Sequence, residues 1–204
     1  MALVFEDKVP ASYRTAFVSK VIDISYKLGI DPNWLMAIME LETGGKFTAS
    51  VTNSLGYTGL IQFSETSAKS LGTTTAKLRN MTAVEQLDYV YRYFLPHKPK
   101  LDSYTNTYLQ VFFPVAVGKG DDFLIQANGL SATKVGNANK GLDANKDGVI
   151  YVWEVKKALL SRLPSEWLEN GSFSLAVRAY KGQLIIGLIL MIGGGFYLYK
   201  KLKK

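Results

Sequence analysis

The stretch DPNWLMAIMELETGG, residues 31–45, carries the start and stop signals of one complete helix. Asp31 is a preferred N-cap residue, and Pro32 suits the first helical position, where its missing N–H is not needed. Gly44 and the glycine after it end the helix. The apolar residues recur at helical spacing along one stripe, which predicts a buried face. This helix and the apolar helices around it predict a mainly α fold.

Glu42 stands at the end of this apolar stripe, at helical spacing from Leu35 and Ile38. A carboxyl group in that place is expected to be partly desolvated, which raises its pKa toward that of a general acid. Glu40 is expected to point to the opposite side of the helix. The alternative for Glu42 is a solvent-facing glutamate at a helix end, and the helix alone favours that alternative.

Further helices are predicted on both sides, from apolar positions at helical spacing. No stretch shows convincing strand periodicity, and no internal repeat occurs. Residues 103–117 are apolar and aromatic without a clear pattern. Residues 46–59 are rich in Ser, Thr, Asn and Gly and are predicted to form a loop. The predicted helices span residues 12–28, 60–71, 83–95 and 152–163.

The composition narrows the possible chemistry. The chain has no Cys and a single His, His97. It therefore lacks thiolate ligands and thiol nucleophiles, and a His-ligated zinc centre or a Ser-His-Asp triad is hard to build. Any chemistry is expected to rest on carboxylates, hydroxyls, amides and tyrosines.

Two motifs stand close together at the end of the helix. Glu42 is followed by Thr43 and two glycines, and GYTGLIQF at residues 56–63 places Gln62 20 residues after Glu42. The pair resembles the soluble lytic transglycosylase family of the goose-type lysozyme-like superfamily, especially its phage-associated variants. That family has a catalytic Glu followed by Ser, and then a Gly-Leu-x-Gln-hydrophobic motif. The resemblance covers residues 30–95, about a third of the chain.

The resemblance implies a lysozyme-like helical domain with Glu42 as the catalytic residue. Thr43 stands where the family has Ser, and the family's later Tyr-Asn-x-Gly motif is absent. Tyr104, or alternatively Tyr108, is the candidate for that motif's tyrosine, and core packing is the ordinary role for either. Gln62 has a plain alternative role as a polar contact between loop and helix. The substrate-binding residues that the resemblance implies are Thr43, Gly59, Leu60, Gln62, Phe63 and Tyr104.

The implied activity is cleavage of the β-1,4 bond between N-acetylmuramic acid and N-acetylglucosamine in peptidoglycan, with a 1,6-anhydro product and no organic cofactor. One carboxyl group acts first as acid and then as base, whereas hydrolytic glycosidases usually need two. Glu65, Glu85 and Asp88 are possible second carboxyl groups, but their spacing singles none of them out. The alternative is a non-enzymatic, membrane-tethered structural or glycan-binding virion protein with the same fold.

Residues 143–154, DANKDGVIYVWE, match the calcium-loop pattern D-x-[DN]-x-[DN]-G-x5-E in full. The pattern supplies side-chain oxygens, a main-chain carbonyl and a closing bidentate glutamate, with Gly148 at the sharp turn. We expect a structural Ca²⁺ on half of an EF-hand, because residues 131–141 have the composition of a loop rather than of an entering helix. The alternative is an ordinary turn that caps the next helix. The predicted ligands are Asp143, Asn145, Asp147, Val149, Tyr151 and Glu154.

The net charge of +7 is concentrated at the C-terminal end. Residues 1–175 carry 18 Lys and Arg against 17 Asp and Glu, whereas residues 176–204 carry 6 Lys and Arg and no acid. Because the body is nearly neutral, no nucleic-acid partner is expected. Residues 184–199 are 16 uncharged residues between lysines, which predicts a single-pass membrane helix in a lipid bilayer. The alternative is a buried C-terminal helix.

The N-terminus lacks the pattern of a signal peptide, and the C-terminal lysines predict that this end stays on the cytoplasmic side. The two expectations agree if the membrane lies inside a phage particle, where the enzyme would help the genome through the cell wall. The bacterial inner membrane, with a role in cell-wall remodelling, is the alternative. The predicted division is a lysozyme-like transglycosylase domain, a calcium-binding extension packed on it, and a membrane anchor with a basic tail. These parts span residues 1–120, 121–170 and 171–204.

Overall fold

The structure, a computed structural model, describes residues 2–169, 171 and 173–175. These residues form nine α-helices, three short 3-10 helices and isolated β-bridges, with no β-strand among them. The mainly α class is therefore confirmed. The α-helices are α1 Arg14–Leu28, α2 Pro32–Thr43, α3 Glu65–Ser70, α4 Thr75–Arg79, α5 Ala83–Phe94, α6 Tyr104–Phe112, α7 Ala132–Ala138, α8 Val152–Leu160 and α9 Ser165–Glu169.

Helix α2 contacts both α1 and α6 and is buried along most of its length. The Asp31 side chain accepts the N–H of Asn33 at 2.9 Å, and Gly44 follows the helix with a φ of 58°. The predicted start and stop of this helix are therefore confirmed. Because the helix is buried as far as Met39, Glu42 on the following turn lies at the edge of the core.

Helices α1 and α5 pack against each other beside α2. Apolar side chains of both helices, such as Phe17 of α1 and Leu87 of α5, are buried in the core. Helix α5 begins at a capping box, in which Thr82 and Glu85 exchange hydrogen bonds between side chain and backbone. Both helices agree with their predicted bounds to within two residues.

The predicted helix over residues 60–71 is wrong in its first half. A tight turn occupies that part, closed by two backbone hydrogen bonds of 3.0 and 2.8 Å between Thr58 and Phe63. Gln62 within the turn has a φ of 51°, which an α-helix does not contain. Helix α3 begins only after Ser64, whose side chain caps it.

A second correction concerns the residues before the calcium-loop pattern. The prediction of a loop over residues 131–141 is wrong, because α7 occupies Ala132–Ala138. Ser131 caps this helix by accepting the N–H of Lys134. The loop of residues 143–154 therefore lies between two helices, as in a complete EF-hand. Helix α7 was not predicted because it is short and has too few apolar residues to show a helical period.

The α7–α8 segment, which we define as residues 132–162, is packed on the helical body. The N–H of Ile125 donates to the carbonyl of Ile150 at 2.8 Å, which ties the preceding chain to the start of α8. Val155 and Leu159 of α8 are buried, and α8 contacts α6. One hydrophobic cluster runs from the body into these residues, so the segment shares the core of the body.

The last described residues lie against the body. The carbonyl of Ser174 accepts the indole N–H of Trp34, and Phe173 packs edge-on against Tyr104. The predicted membrane helix, residues 184–199, lies outside the described residues. Among the residues that the structure describes, no helix has the length and apolar character needed to cross a membrane.

Candidate active site

A cleft of about 770 Å³ lies between the end of α2 and the α7–α8 segment. Its walls come from α2, the loop that follows it, α6 and the α7–α8 segment. Apolar and aromatic side chains alternate with amides and hydroxyls. Glu42 and Arg162 are the two charged side chains among the described residues that line it. The uncharged polar lining consists of Asn53, Tyr57, Gln62, Tyr108, Asn139 and Ser161.

Glu42 lies on the last turn of α2, with its side chain at the cleft. Burial raises the pKa of its carboxyl group to about 7. No hydrogen bond or ion pair joins this carboxyl group to another residue of the described chain. Burial is the main cause that raises the pKa of Tyr93 and of Tyr108, and the charge of the nearby Glu42 raises both further. A carboxyl group with such a pKa is both acid and base at neutral pH, as proton transfer in two directions requires.

The other carboxyl groups considered in the sequence, Glu40, Glu65, Glu85 and Asp88, have partners outside the cleft lining. Their partners are side chains or N–H groups on the surface of the body. Among the described residues that line the cleft, Glu42 is therefore the one carboxyl group. Glu40 pairs with Lys8, Glu65 with Thr75, Glu85 with Thr82 and Asp88 with Lys20.

Thr43 is buried and does not line the cleft. Its hydroxyl donates to the carbonyl of Met39 at 2.6 Å and accepts the N–H of Phe47 at 3.0 Å. These bonds hold the turn after α2, in which Phe47 has a φ of 50°. The structure therefore places Thr43 as a support for the turn behind Glu42.

The turn of residues 59–63 is held on α5 by Gln86, whose side chain is fully buried. The Oε1 of Gln86 accepts the N–H of Leu60 at 2.7 Å, and its Nε2 donates to the carbonyl of Leu78 at 2.9 Å. Gly59 has a φ of 84°, and a Cβ there would clash with the Gln86 amide, so only glycine fits. The role of Gln86 was not predicted; a lone glutamine on the apolar face of α5 was its signal.

Gln62 lines the cleft, and the other motif residues of its turn support it. Its φ of 51° is uncommon for a residue with a side chain and is typical of functional sites. Its Nε2 donates to the carbonyls of Gly59 at 3.1 Å and Val51 at 3.3 Å. Leu60 and Phe63 are buried in the core. Of the two motifs, the structure brings Glu42, Tyr57 and Gln62 together at the cleft.

The structure separates the two tyrosines that the sequence left as alternatives. Tyr104 is buried and packs edge-on against Phe173, with ring centroids 5.0 Å apart, away from the Glu42 cleft. Tyr108, one turn later on α6, lines the cleft and stacks on Phe112 at 5.7 Å. Of the two candidates, Tyr108 therefore lines the cleft and Tyr104 does not.

Tyr93 of α5 is a residue near Glu42 that the sequence analysis missed. Its hydroxyl donates to the carbonyl of Gln110 at 2.8 Å, and its ring packs edge-on against Phe63. Tyr93 lies two helical turns after Gln86, on the same face of α5. The spacing between Gln86 and Tyr93 in the sequence was the signal that could have identified Tyr93.

The loop of residues 143–154 is folded by the side chains that the calcium pattern specifies. The Asp143 carboxylate accepts the N–H groups of Asp147 and Gly148 at 3.1 and 2.9 Å. Asn145 also accepts the N–H of Asp147, and Asp147 accepts the N–H of Val149. Gly148 has a φ of 86°, at the position where the pattern requires a sharp turn. The first three predicted ligands are therefore held within one tight loop.

Glu154 is fully buried at the start of α8. Its Oε1 accepts the N–H of Ala144 at 2.7 Å, and its Oε2 accepts the N–H of Tyr151 at 3.0 Å. Its carboxylate therefore ties both ends of the loop together. Within the described ranges, no three His, Cys, Asp or Glu side chains converge as a metal-binding group. The loop fits Ca²⁺ in the type and order of its oxygen ligands, and Glu154 has to exchange its N–H partners for the ion.

No protein-family model, no curated protein and no solved structure matches this chain. The class of protein is therefore defined by its own fold and site. Its described residues form a mainly α fold with a cleft lined by amides and aromatic rings, where Glu42 is the one carboxyl group among them and has a raised pKa.

Proposed function

We propose that the chain is a lytic transglycosylase that cleaves the β-1,4 bond between N-acetylmuramic acid and N-acetylglucosamine in peptidoglycan. The observation that carries this proposal is Glu42, a carboxyl group with a pKa of about 7 that lines a cleft. Such a group holds its proton near neutral pH and can deliver it to a bound ligand. The resemblance of residues 30–95 to soluble lytic transglycosylases supports the same reaction.

In the proposed reaction, the protonated Glu42 donates its proton to the glycosidic oxygen as the bond from that oxygen to C1 breaks. The resulting carboxylate takes the proton of the C6 hydroxyl on the same N-acetylmuramic acid. The C6 oxygen attacks C1 and closes a 1,6-anhydro ring, so no water is consumed and Glu42 is protonated again. One carboxyl group suffices for this sequence, in agreement with the single carboxyl group among the described cleft residues.

The rest of the cleft suits a sugar polymer. Its volume of about 770 Å³ is typical of ligand clefts, which range over about 300–1,000 Å³. Tyr57 supplies an aromatic ring, while Asn53 and Gln62 supply amide groups. Sugar rings present apolar C–H faces and a rim of hydroxyls, which match aromatic rings and amides respectively. The lining therefore agrees with a glycan as substrate.

The products of peptidoglycan digestion test this proposal. The full chain, kept in mild detergent and mixed with purified peptidoglycan, is expected to release muropeptides that end in 1,6-anhydro-N-acetylmuramic acid. Mass spectrometry identifies these products because each is lighter by one water than the hydrolysis product. Reducing-end muropeptides would show a hydrolase instead. Glycan binding without any release would favour the non-enzymatic alternative.

We further propose that residues 184–199 anchor the enzyme in a lipid membrane, inside a phage particle, so that it opens the cell wall for genome entry. The support is the run of 16 uncharged residues between lysines. The linker of residues 176–183 can span at most about 30 Å when fully extended. The anchor would therefore keep the cleft-bearing body close to the bilayer surface.

We also propose that the loop of residues 143–154 binds a structural Ca²⁺. The ion would neutralise the acidic loop and hold α7 and α8 in place beside the cleft, and no step of the proposed reaction requires it. Five ligands would be direct and one, Tyr151, would act through water. The direct ligands would be Asp143, Asn145, Asp147, the Val149 carbonyl and Glu154.

The full chain is expected to melt about 5–10 °C higher in Ca²⁺ than in EDTA. An ion that binds only the folded loop stabilises it by mass action, by about 2.7 kcal/mol at a hundred times its Kd. Circular dichroism measures the transition, with Mg²⁺ as the control ion. The Asp143→Asn variant should lose most of the increase, whereas Asp122→Asn, at an exposed site outside the loop, should keep it. Equal melting temperatures in Ca²⁺ and EDTA would leave an ordinary turn as the explanation.

A further inference from the structure

Arg162 lies just beyond the C-terminal end of α8 and lines the same cleft as Glu42. Its backbone N–H donates to the carbonyl of Leu159 at 3.3 Å, which continues the last turn of the helix. The residue as a whole is exposed. Its guanidinium group is therefore placed on a cleft wall and in contact with solvent.

Arg162 differs from the other arginines that the structure describes. Arg14, Arg79 and Arg92 each donate side-chain hydrogen bonds to the protein. No side-chain hydrogen bond or ion pair joins Arg162 to another residue in the described part of the chain. An arginine in a cleft, with its donors directed to no protein partner, is available to bind an anionic ligand.

The positive charge of Arg162 acts on Tyr108, which lines the cleft. It acts to lower the pKa of Tyr108, against the rise that burial and Glu42 produce. Glu42 and Arg162 are the two charged groups among the described lining residues, and burial raises the pKa of Glu42 to about 7, which favours its neutral form. The cleft is therefore net cationic when Glu42 carries the proton. Such a cleft favours a substrate that carries negative charge over a neutral one.

We propose that Arg162 binds a carboxylate carried by N-acetylmuramic acid, and so makes the cleft selective for peptidoglycan over neutral glycans. Every N-acetylmuramic acid carries a lactyl group, whose carboxyl group is either a free carboxylate or joined as an amide to a peptide that carries carboxylates of its own. A guanidinium group binds a carboxylate through two parallel hydrogen bonds. Ser161 and Asn139 on the same wall add polar groups around it. The inference rests on the proposed function, because it names the feature of the substrate that the same cleft recognises.

A pair of matched glycans tests this assignment by calorimetry. The full chain in detergent carries Glu42→Gln, so that bound glycan is not cleaved. One probe is a soluble N-acetylmuramic acid-containing tetrasaccharide with its peptides, and the other is the neutral tetramer of N-acetylglucosamine. Adding Arg162→Gln is expected to weaken binding of the first probe about tenfold and to leave binding of the second within twofold. For the parent protein, a higher salt concentration should reduce the difference in affinity between the charged and the neutral probe.

Two further variants separate the guanidinium from a general loss of charge. Lys157→Gln removes a positive charge from the exposed side of α8, outside the cleft lining, and should leave both affinities unchanged. Arg162→Lys keeps the charge but loses the paired donors, so its affinity for the charged probe should fall between those of the parent and Arg162→Gln.

Two results would overturn the assignment while leaving the proposed function intact. One is an unchanged affinity of Arg162→Gln for the charged probe, and the other is an equal loss for both probes. A parent protein that binds neither glycan, together with an unmodified chain that releases no product from peptidoglycan, would instead overturn the proposed function itself.

Discussion

The Glu42→Gln variant is expected to lose peptidoglycan cleavage by a factor of about a hundred to ten thousand. The amide has nearly the shape of the carboxyl group, but it can neither donate an acidic proton to the glycosidic oxygen nor take one from the C6 hydroxyl. Release of anhydro-muropeptides per unit time measures the loss. Glu40→Gln is the matched control on the same helix, because Glu40 pairs with Lys8 outside the cleft and should keep its activity.

The same variant should be more stable than the unmodified chain above pH 7. Burial raises the pKa of Glu42 from 4.5 to about 7, so ionisation is unfavourable in the folded state. The stability that this group contributes is complete below pH 4.5 and is lost as the pH rises through about 7. A shift of this size corresponds to at most roughly 3 kcal/mol. Glutamine does not ionise, so Glu42→Gln should melt several degrees higher at pH 8.

The melting measurement also distinguishes a loss of catalysis from a loss of folding. A variant that is inactive and more stable at high pH has lost chemistry and not its fold. Full activity in Glu42→Gln would show that Glu42 is not the catalytic residue. An inactive variant that melts lower at every pH would show that Glu42 supports the structure instead.

The Gly136→Ala variant is expected to lose about 1–3 kcal/mol or more of its free energy of unfolding. A Cβ at Gly136 of α7 would clash with the carbonyl oxygen of Gly148 and lie 3.0 Å from the Cα of Val149. These are backbone atoms of a tight loop, which cannot rotate away as the end of a flexible side chain can. Relief therefore requires α7 to move off the loop, at a cost like that of other over-packed sites, about 1–3 kcal/mol or more.

Gly141→Ala is the matched control for this substitution. Gly141 lies in the same segment, has no positive φ, and a Cβ there meets no atom within 4 Å. Its free energy of unfolding should stay within about 0.5 kcal/mol of the unmodified chain. Urea unfolding of both variants gives the comparison. Equal midpoints for the two would show that α7 does not pack on the loop as closely as the structure has it.

The Gly136→Ala variant should also bind glycan more weakly, because the segment that α7 belongs to forms one wall of the cleft. Added Ca²⁺ should restore part of the stability, since the ion and the α7 contact hold the same loop. Gly136 itself left no signal in the sequence, where a glycine in a polar stretch indicates a loop. The close approach of backbones became visible only in the folded chain.

Prediction from sequence succeeded where the signals are local. Asp31 and Gly44 mark the ends of α2 by capping rules that involve only the adjacent turn. It failed where tertiary bonds override local pattern. Leu60 follows a glycine and precedes apolar residues, which suggested a helix, yet its N–H bonds to the Gln86 side chain in a turn. The hydrogen bond to the buried Gln86 side chain stabilises the turn relative to a helix.

By itself, the sequence determined the helix whose last turn carries Glu42 and the order of oxygen ligands in the loop of residues 143–154. Each depends on residues within about a dozen positions, which caps, periodicity and turns encode directly. Only the tertiary structure decided that Tyr108, and not Tyr104, lines the cleft, and that Arg162 joins Glu42 from 120 residues away. Those neighbours are chosen by the packing of distant helices, and no local pattern records which faces will meet.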